Sequence, residues 1–156
     1  MKTILILVGK TTDKHFQAGI SDYAGRICHY LPFEIVTIPE LKNTKSLSEE
    51  QQKTAEGEQI LKQLQPSDTV VLLDEHGREF RSVEYAQWLA QKQHTARRLI
   101  FVIGGPYGFS EAVYARANEK ISLSKMTFSH QMVRLIFAEQ LYRACTIIKG
   151  EPYHHE

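Results

Sequence analysis

An α/β fold with a mainly parallel sheet flanked by helices is what this sequence predicts, on three observations. Apolar stretches of strand length alternate with stretches of helical spacing along the whole chain, the order expected of successive βα units. The run Leu99-Ile100-Phe101-Val102-Ile103 is apolar without interruption and rich in β-branched residues, as a strand covered on both faces must be. It breaks directly into Gly104-Gly105-Pro106-Tyr107-Gly108. Glycines there let backbone amides approach a ligand at the carboxyl edge of the sheet, where open α/β folds bind.

Residues 3–8 read as a buried first strand, followed by a helix over 13–30 with Thr11 or Thr12 placed to cap it. Residues 33–38 form a second strand. The polar connection 41–47 leads into overlapping capping signals, Ser46 with Glu49 and Ser48 with Gln51, that open a helix running to about Gln65. Pro66-Ser67 stops that helix, residues 69–73 make the third strand, and Asp74-Glu75-His76-Gly77 reads as a turn. A third helix spans 82–93. After the fourth strand and its glycine loop, Ser110 caps a short helix ending near Ala117, residues 121–123 begin a short fifth strand, and 130–148 form the last helix.

That last helix is apolar all the way round, through Met132, Val133, Leu135, Ile136, Phe137, Leu141, Tyr142, Cys145, Ile147 and Ile148. A helix on the outside of a monomer shows one apolar stripe, so the pattern points to a homodimer interface built on this helix.

With 156 residues, 42% hydrophobic and 24% charged, the chain suits a single domain over 1–156 with a real core. No stretch approaches the roughly 20 apolar residues of a membrane span, and the apolar start is too short for a signal peptide, so the expected location is the cytoplasm. Cys28 and Cys145 are far apart, lack CxxC spacing, and read as buried thiols. Nineteen basic and 18 acidic residues leave a formal charge of +1, so any contact with nucleic acid has to come from a local patch.

The glycines after the fourth strand do not match GxGxxG, follow the wrong strand for a dinucleotide fingerprint, and lack the Lys-Ser/Thr of a P-loop. His76, His154 and His155 have no tetrahedral metal spacing, and no metal is expected. Asp74 and Glu75 more often form a turn or a structural hydrogen bond than a catalytic pair. A second small-residue loop, Leu123-Ser124-Lys125-Met126-Thr127-Phe128-Ser129-His130, lies close behind the first, and the two together look like a ligand cleft.

The strand, the GGPYG loop, the short helix and then SLSKMTFSHQMVRLIFAEQLYRA resemble the α/β-knot (SPOUT) methyltransferases. More narrowly they resemble the large-subunit ribosomal RNA pseudouridine N3-methyltransferase family, often called methyltransferase H. The likeness extends to the MKTILILVGK start, to VVLLDEHGREFRS and to the Pro152-Tyr153-His154 tail, and so covers the full length. It implies a C-terminal trefoil knot, which nothing in composition or periodicity shows and general rules of chain topology argue against.

Carried over residue by residue, the resemblance implies an S-adenosylmethionine site formed by Leu73, Gly104, Leu123, Ser124, Lys125, Met126, Thr127 and Phe128. By residue type alone Leu73 would be core and Met126 packing. The N3 of a uracil-type ring carries a proton, so stabilising its anion or accepting that proton would help the reaction. The candidates are His130, Arg134, Arg143, Tyr153 and His154. Without the resemblance, Arg143 is an exposed ion-pair partner of Glu139, Arg134 surface charge, His130 a capping-region residue, and the tail a frayed terminus.

The implied partner is large-subunit ribosomal RNA within the assembled ribosome. Lys10, Lys14, His15, Arg26, Arg134, Arg143 and Lys149 would form the RNA patch across the dimer. Two alternatives stay open: a SPOUT-fold methyltransferase for another RNA nucleoside, and a non-catalytic RNA- or nucleotide-binding module.

Overall fold

In a computed structural model describing residues 1–155, five strands form one parallel sheet. They are β1 (Lys2–Val8), β2 (Phe33–Ile38), β3 (Thr69–Glu79), β4 (Arg98–Ile103) and β5 (Glu119–Ser122), in the order β2-β1-β4-β3-β5. The helices between and after them are α1 (Lys14–Ile27), α2 (Glu49–Lys62), α3 (Ser82–Thr95), α4 (Glu111–Arg116) and α5 (Met132–Ile148).

The unbroken apolar runs are explained by two cores, one on each face of the sheet. Leu5 and Leu7 of β1, with Leu99, Phe101 and Ile103 of β4, pack with Ile27 of α1, Trp88 and Leu89 of α3, and Phe137 and Leu141 of α5. The alternate residues Ile4, Ile6, Ile100 and Val102 pack with Ile60 of α2 and Val113 of α4. The two central strands β1 and β4 therefore bury both of their faces, as strands inside parallel sheets do. Helix α5 packs against both α1 and α3 above the sheet, and this encloses much of its circumference within one chain. Its apolar side chains remain exposed mainly at its two ends, at Met132 and Ile148.

The helix caps differ in part from the sequence expectation. Asp13, not Thr11 or Thr12, caps α1, its Oδ1 accepting from the amides of His15 at 2.7 Å and Phe16 at 3.3 Å. The two threonines are engaged instead by Arg134 of α5 and by Gln131 just before it. At α2 the capping box is Ser48 with Gln51, while Ser46 belongs to a 3-10 turn before it. Ser110 caps α4 as expected. Helix α5 begins at Met132, two residues beyond His130. Cys145 is buried and its thiol is pushed up to about 12 by burial, but Cys28 is exposed rather than buried.

Strand β3 does not end at Leu73. It pairs with β5 up to Leu73↔Ile121, then resumes with Arg78↔Ile121, so residues 74–77 bulge out of a strand that continues to Glu79. Gly77 makes this possible: a Cβ there would stand 2.5 Å from the backbone of Ile121. The predicted turn is thus an excursion at the carboxyl edge, beside the ends of β4 and β5.

Candidate functional site

A cavity of about 670 Å³ opens where β3, β4 and β5 end. The bulge after Leu73, the loop from Gly104 to Phe109 and the loop from Leu123 to Ser129 supply most of its wall. The glycine loop is a tight turn: the amide of Gly108 donates to Gly105 O at 3.2 Å, and Gly108 adopts φ +81, a left-handed value natural to glycine. Gly104 lies against the Phe109 ring, which a Cβ would approach at 3.0 Å. In the second loop, Ser122 Oγ donates to Ser124 O at 2.9 Å, and Ser124 Oγ accepts from the Met126 amide at 2.9 Å. These local bonds leave Met126 mostly exposed.

All eight residues carried over as a cofactor set line this one cavity: Leu73, Gly104, Leu123, Ser124, Lys125, Met126, Thr127 and Phe128. Three groups that sequence reasoning missed stand with them, Lys53 from α2, Tyr107, and Tyr114 from α4. The Tyr114 hydroxyl donates to Asp74 Oδ2, and the Asp74 Oδ1 accepts from the His76 amide at 2.8 Å. Burial, then the bond to Asp74, raises the Tyr114 phenol to about 12. Asp74 thus holds the bulge and α4 together, the structural use expected of it.

The five polar candidates separate into three places. His130 lines the cavity. Arg134 is wholly buried, with Nη2 donating to Val8 O at 2.8 Å and Nη1 to Gly9 O and Thr11 Oγ1, both at 2.9 Å. Burial lowers its pKa, and the Glu40 carboxylate acts the other way. Arg134 is therefore neither surface charge nor part of an RNA-facing patch; a charged side chain in the first turn of a helix reads as exposed only while the loop that covers it is unknown.

Arg143, Tyr153 and His154 form a third group, around Glu139. The Glu139 Oε2 accepts from Arg143 Nη2 and from the Tyr153 hydroxyl, both at 2.7 Å. Arg143 Nη1 donates to His154 Nδ1 at 3.1 Å, and the guanidinium lies 4.8 Å from the Tyr153 ring centroid. Tyr142 meets the Tyr153 ring edge-on at 4.7 Å. The bond to Glu139 holds the Arg143 guanidinium above its ordinary value. Burial first, then bonds involving Tyr23 and Glu139, push the Tyr153 phenol well up.

The Glu139–Arg143 pair is three-quarters covered, with side-chain exposures of 21% and 24%, not a solvated pair. The tail is tied down by it rather than frayed. Glu139 is the hub that sequence reasoning saw only as an ion-pair partner. None of these four residues lines the cavity. Of the remaining basic candidates, Lys10, Lys14, His15, Arg26 and Lys149 are exposed, with Arg26 paired to Asp22. Among the described residues no helix is long and apolar enough to cross a membrane.

A family model described as predicted SPOUT methyltransferase matches residues 1–154. The chain is 63% identical to the Ribosomal RNA large subunit methyltransferase H of Phocaeicola vulgatus, over the full length of both. Over the same full lengths it is 62% identical to the protein of that name from Bacteroides fragilis and 54% identical to that from Porphyromonas gingivalis.

Proposed function

The chain belongs to the SPOUT methyltransferase family, and we propose that it transfers a methyl group from S-adenosylmethionine to N3 of a pseudouridine in large-subunit ribosomal RNA, within the assembled ribosome in the cytoplasm. One observation carries the reading: the eight residues carried over as a cofactor set, spread over three loops, line a single cavity. Relatives matching over the whole chain bear the name of a large-subunit ribosomal RNA methyltransferase.

The cavity fits such a cofactor. Its volume lies in the range of about 300–1,000 Å³ typical of small-molecule sites. Leu73, Ile103, Leu123 and Phe128 offer apolar faces for an adenine ring, and loop backbone groups offer hydrogen bonds to its edge and to a ribose. Asp74 and Glu75 put carboxylates on the wall, suited to the cationic end of the molecule. S-adenosylmethionine supplies a methyl group already activated on a sulfonium.

The protein's task is then alignment and exclusion of water. His130, in the cavity wall, is within reach of a nucleoside entering there and is the candidate to take the N3 proton. Arg143, Tyr153 and His154 are the candidates to hold the ring or its anion, yet they sit away from the cavity of their own chain. We infer that the enzyme works as a homodimer through α5, in which one chain's Glu139 cluster faces the other chain's cavity. The exposed Lys10, Lys14 and His15 supply a basic edge for RNA.

The test is transfer of labelled methyl from S-adenosylmethionine to ribosomes lacking the modification, with nucleoside analysis. Label in 3-methylpseudouridine is the expected result. Label in a different nucleoside would refute the assigned position, and cofactor binding with no label in any ribosomal RNA would refute the substrate.

A further inference from the structure

The first turn of α5 grips the loop after β1 with side chains to which the reaction assigns no step. Five consecutive residues, the last of β1 and the four after it, all take part: Val8 O, Gly9 O and Thr11 Oγ1 accept from Arg134, Lys10 O accepts from Gln131 Nε2 at 3.2 Å, and the Thr12 amide and Oγ1 donate to Gln131 Oε1 at 2.8 and 3.5 Å. The partners are separated by 119 to 126 positions in sequence, so no local propensity accounts for the contact.

Among the described residues, Arg134 meets only carbonyl and hydroxyl oxygens at hydrogen-bond distance, and its Nε has no partner. The Glu40 carboxylate acts on it from beyond hydrogen-bond distance, and a buried guanidinium that no carboxylate meets directly costs more than a well-packed neutral side chain in its place. What the guanidinium adds is a rigid planar fork that fixes several acceptors at set angles. The residues it flanks show what the fork holds. His130 and Val133 line the cavity, while Gln131 and Arg134 grip the loop, so wall and anchor alternate along a single turn. Ser129, the end of the cavity loop, joins the same turn: its carbonyl accepts from the Val133 amide at 3.0 Å and its Oγ from the Met132 amide at 3.1 Å.

We propose that Arg134 and Gln131 are positioning residues, which lock the start of α5 onto the β1 loop and thereby hold residues 123–130 in their ligand-binding shape. This rests on reading that cavity as the S-adenosylmethionine site. Arg134 then acts on the cofactor without touching it, through the geometry of its fork rather than through its charge.

Two measurements on the full chain test this, with Gln131→Ala, Gln131→Glu and Arg134→Lys, the milder changes guarding against loss of the fold. In ligand-free protein, amide hydrogen exchange in Gln131→Ala and Arg134→Lys should accelerate in residues 8–12 and 123–133 while the sheet is unchanged. By calorimetry, Gln131→Ala should weaken S-adenosylmethionine binding about three- to tenfold, the scale of lost side-chain hydrogen bonds. Arg134→Lys should weaken it at least as much, and Gln131→Glu, which keeps the acceptor for Thr12, should recover part of the loss.

Unchanged exchange and affinity in both variants would overturn the proposal, as would wild-type behaviour of Arg134→Lys, which would make charge the operative property. Faster exchange at the wall with no S-adenosylmethionine binding by the wild type would support the clamp and refute the cofactor reading, so the two failures are distinct.

Discussion

The cavity at the carboxyl edge and the cluster around Glu139 are built on opposite plans. The cavity is made by loops, and its shape comes from a glycine turn, a strand bulge and serine bonds to the backbone. The cluster is made by charged and aromatic side chains on one helix and the tail, held by a single carboxylate. A site shaped by backbone is disturbed chiefly by added bulk, whereas a site organised around one carboxylate fails when that group is removed. The division suits a reaction in which one part holds an activated donor and the other organises the acceptor.

The largest effect is expected from bulk in the cavity. Gly104→Trp drives a ring into Phe109 and should reduce S-adenosylmethionine affinity by at least about 100-fold by calorimetry, with the far-ultraviolet circular dichroism of the fold retained. Next comes Glu139→Ala, which frees Arg143 and Tyr153 together. Methyl transfer should fall about 10- to 100-fold while cofactor affinity stays within about twofold. Loss of affinity in that variant would break the separation of the two regions.

A smaller effect belongs to the Tyr114–Asp74 contact. The folded phenol is raised from 10.0 to about 12, so the unfolded chain ionises first. Its contribution to stability is complete below about pH 10, and is lost as pH rises towards about 12. Denaturant titrations across that window should show a shallower decline for Tyr114→Phe than for the wild type. The smallest effect is a control on α2, which packs on the opposite face of the sheet from α5. Ser48→Ala removes a capping-box acceptor and should cost about 1 kcal/mol in urea unfolding, with transfer by the remaining folded enzyme unchanged.

The fold was legible in the sequence because its strands carry their signal locally: an apolar run without alternation already states that both faces are covered. The bulge at 74–77 was not, since Asp-Glu-His-Gly makes an acceptable turn and only the long-range pairing of Arg78 with Ile121 continues the strand. The cap of α1 was misassigned among three competent residues, Thr11, Thr12 and Asp13, because Arg134 and Gln131 take the two threonines. Leu73 packs against the core and also lines the cavity, so by residue type it reads as core alone; likeness to a family, not its chemistry, singled it out. The burial of Arg134 depends on a loop more than 120 positions away and leaves no trace in its neighbours. Glu139 was visible at the spacing of a helix ion pair, but its bond to Tyr153 requires the tail to fold back, which spacing does not encode.

The central claim is that cavity and cluster serve one reaction from two chains, and mixing tests it most directly. Gly104→Trp and Glu139→Ala protein, refolded together in equal amounts, should recover about a quarter of the wild-type methyl-transfer rate, because half the dimers are mixed and each keeps one intact site of two. A mixture no more active than the average of the two separate variants would contradict it.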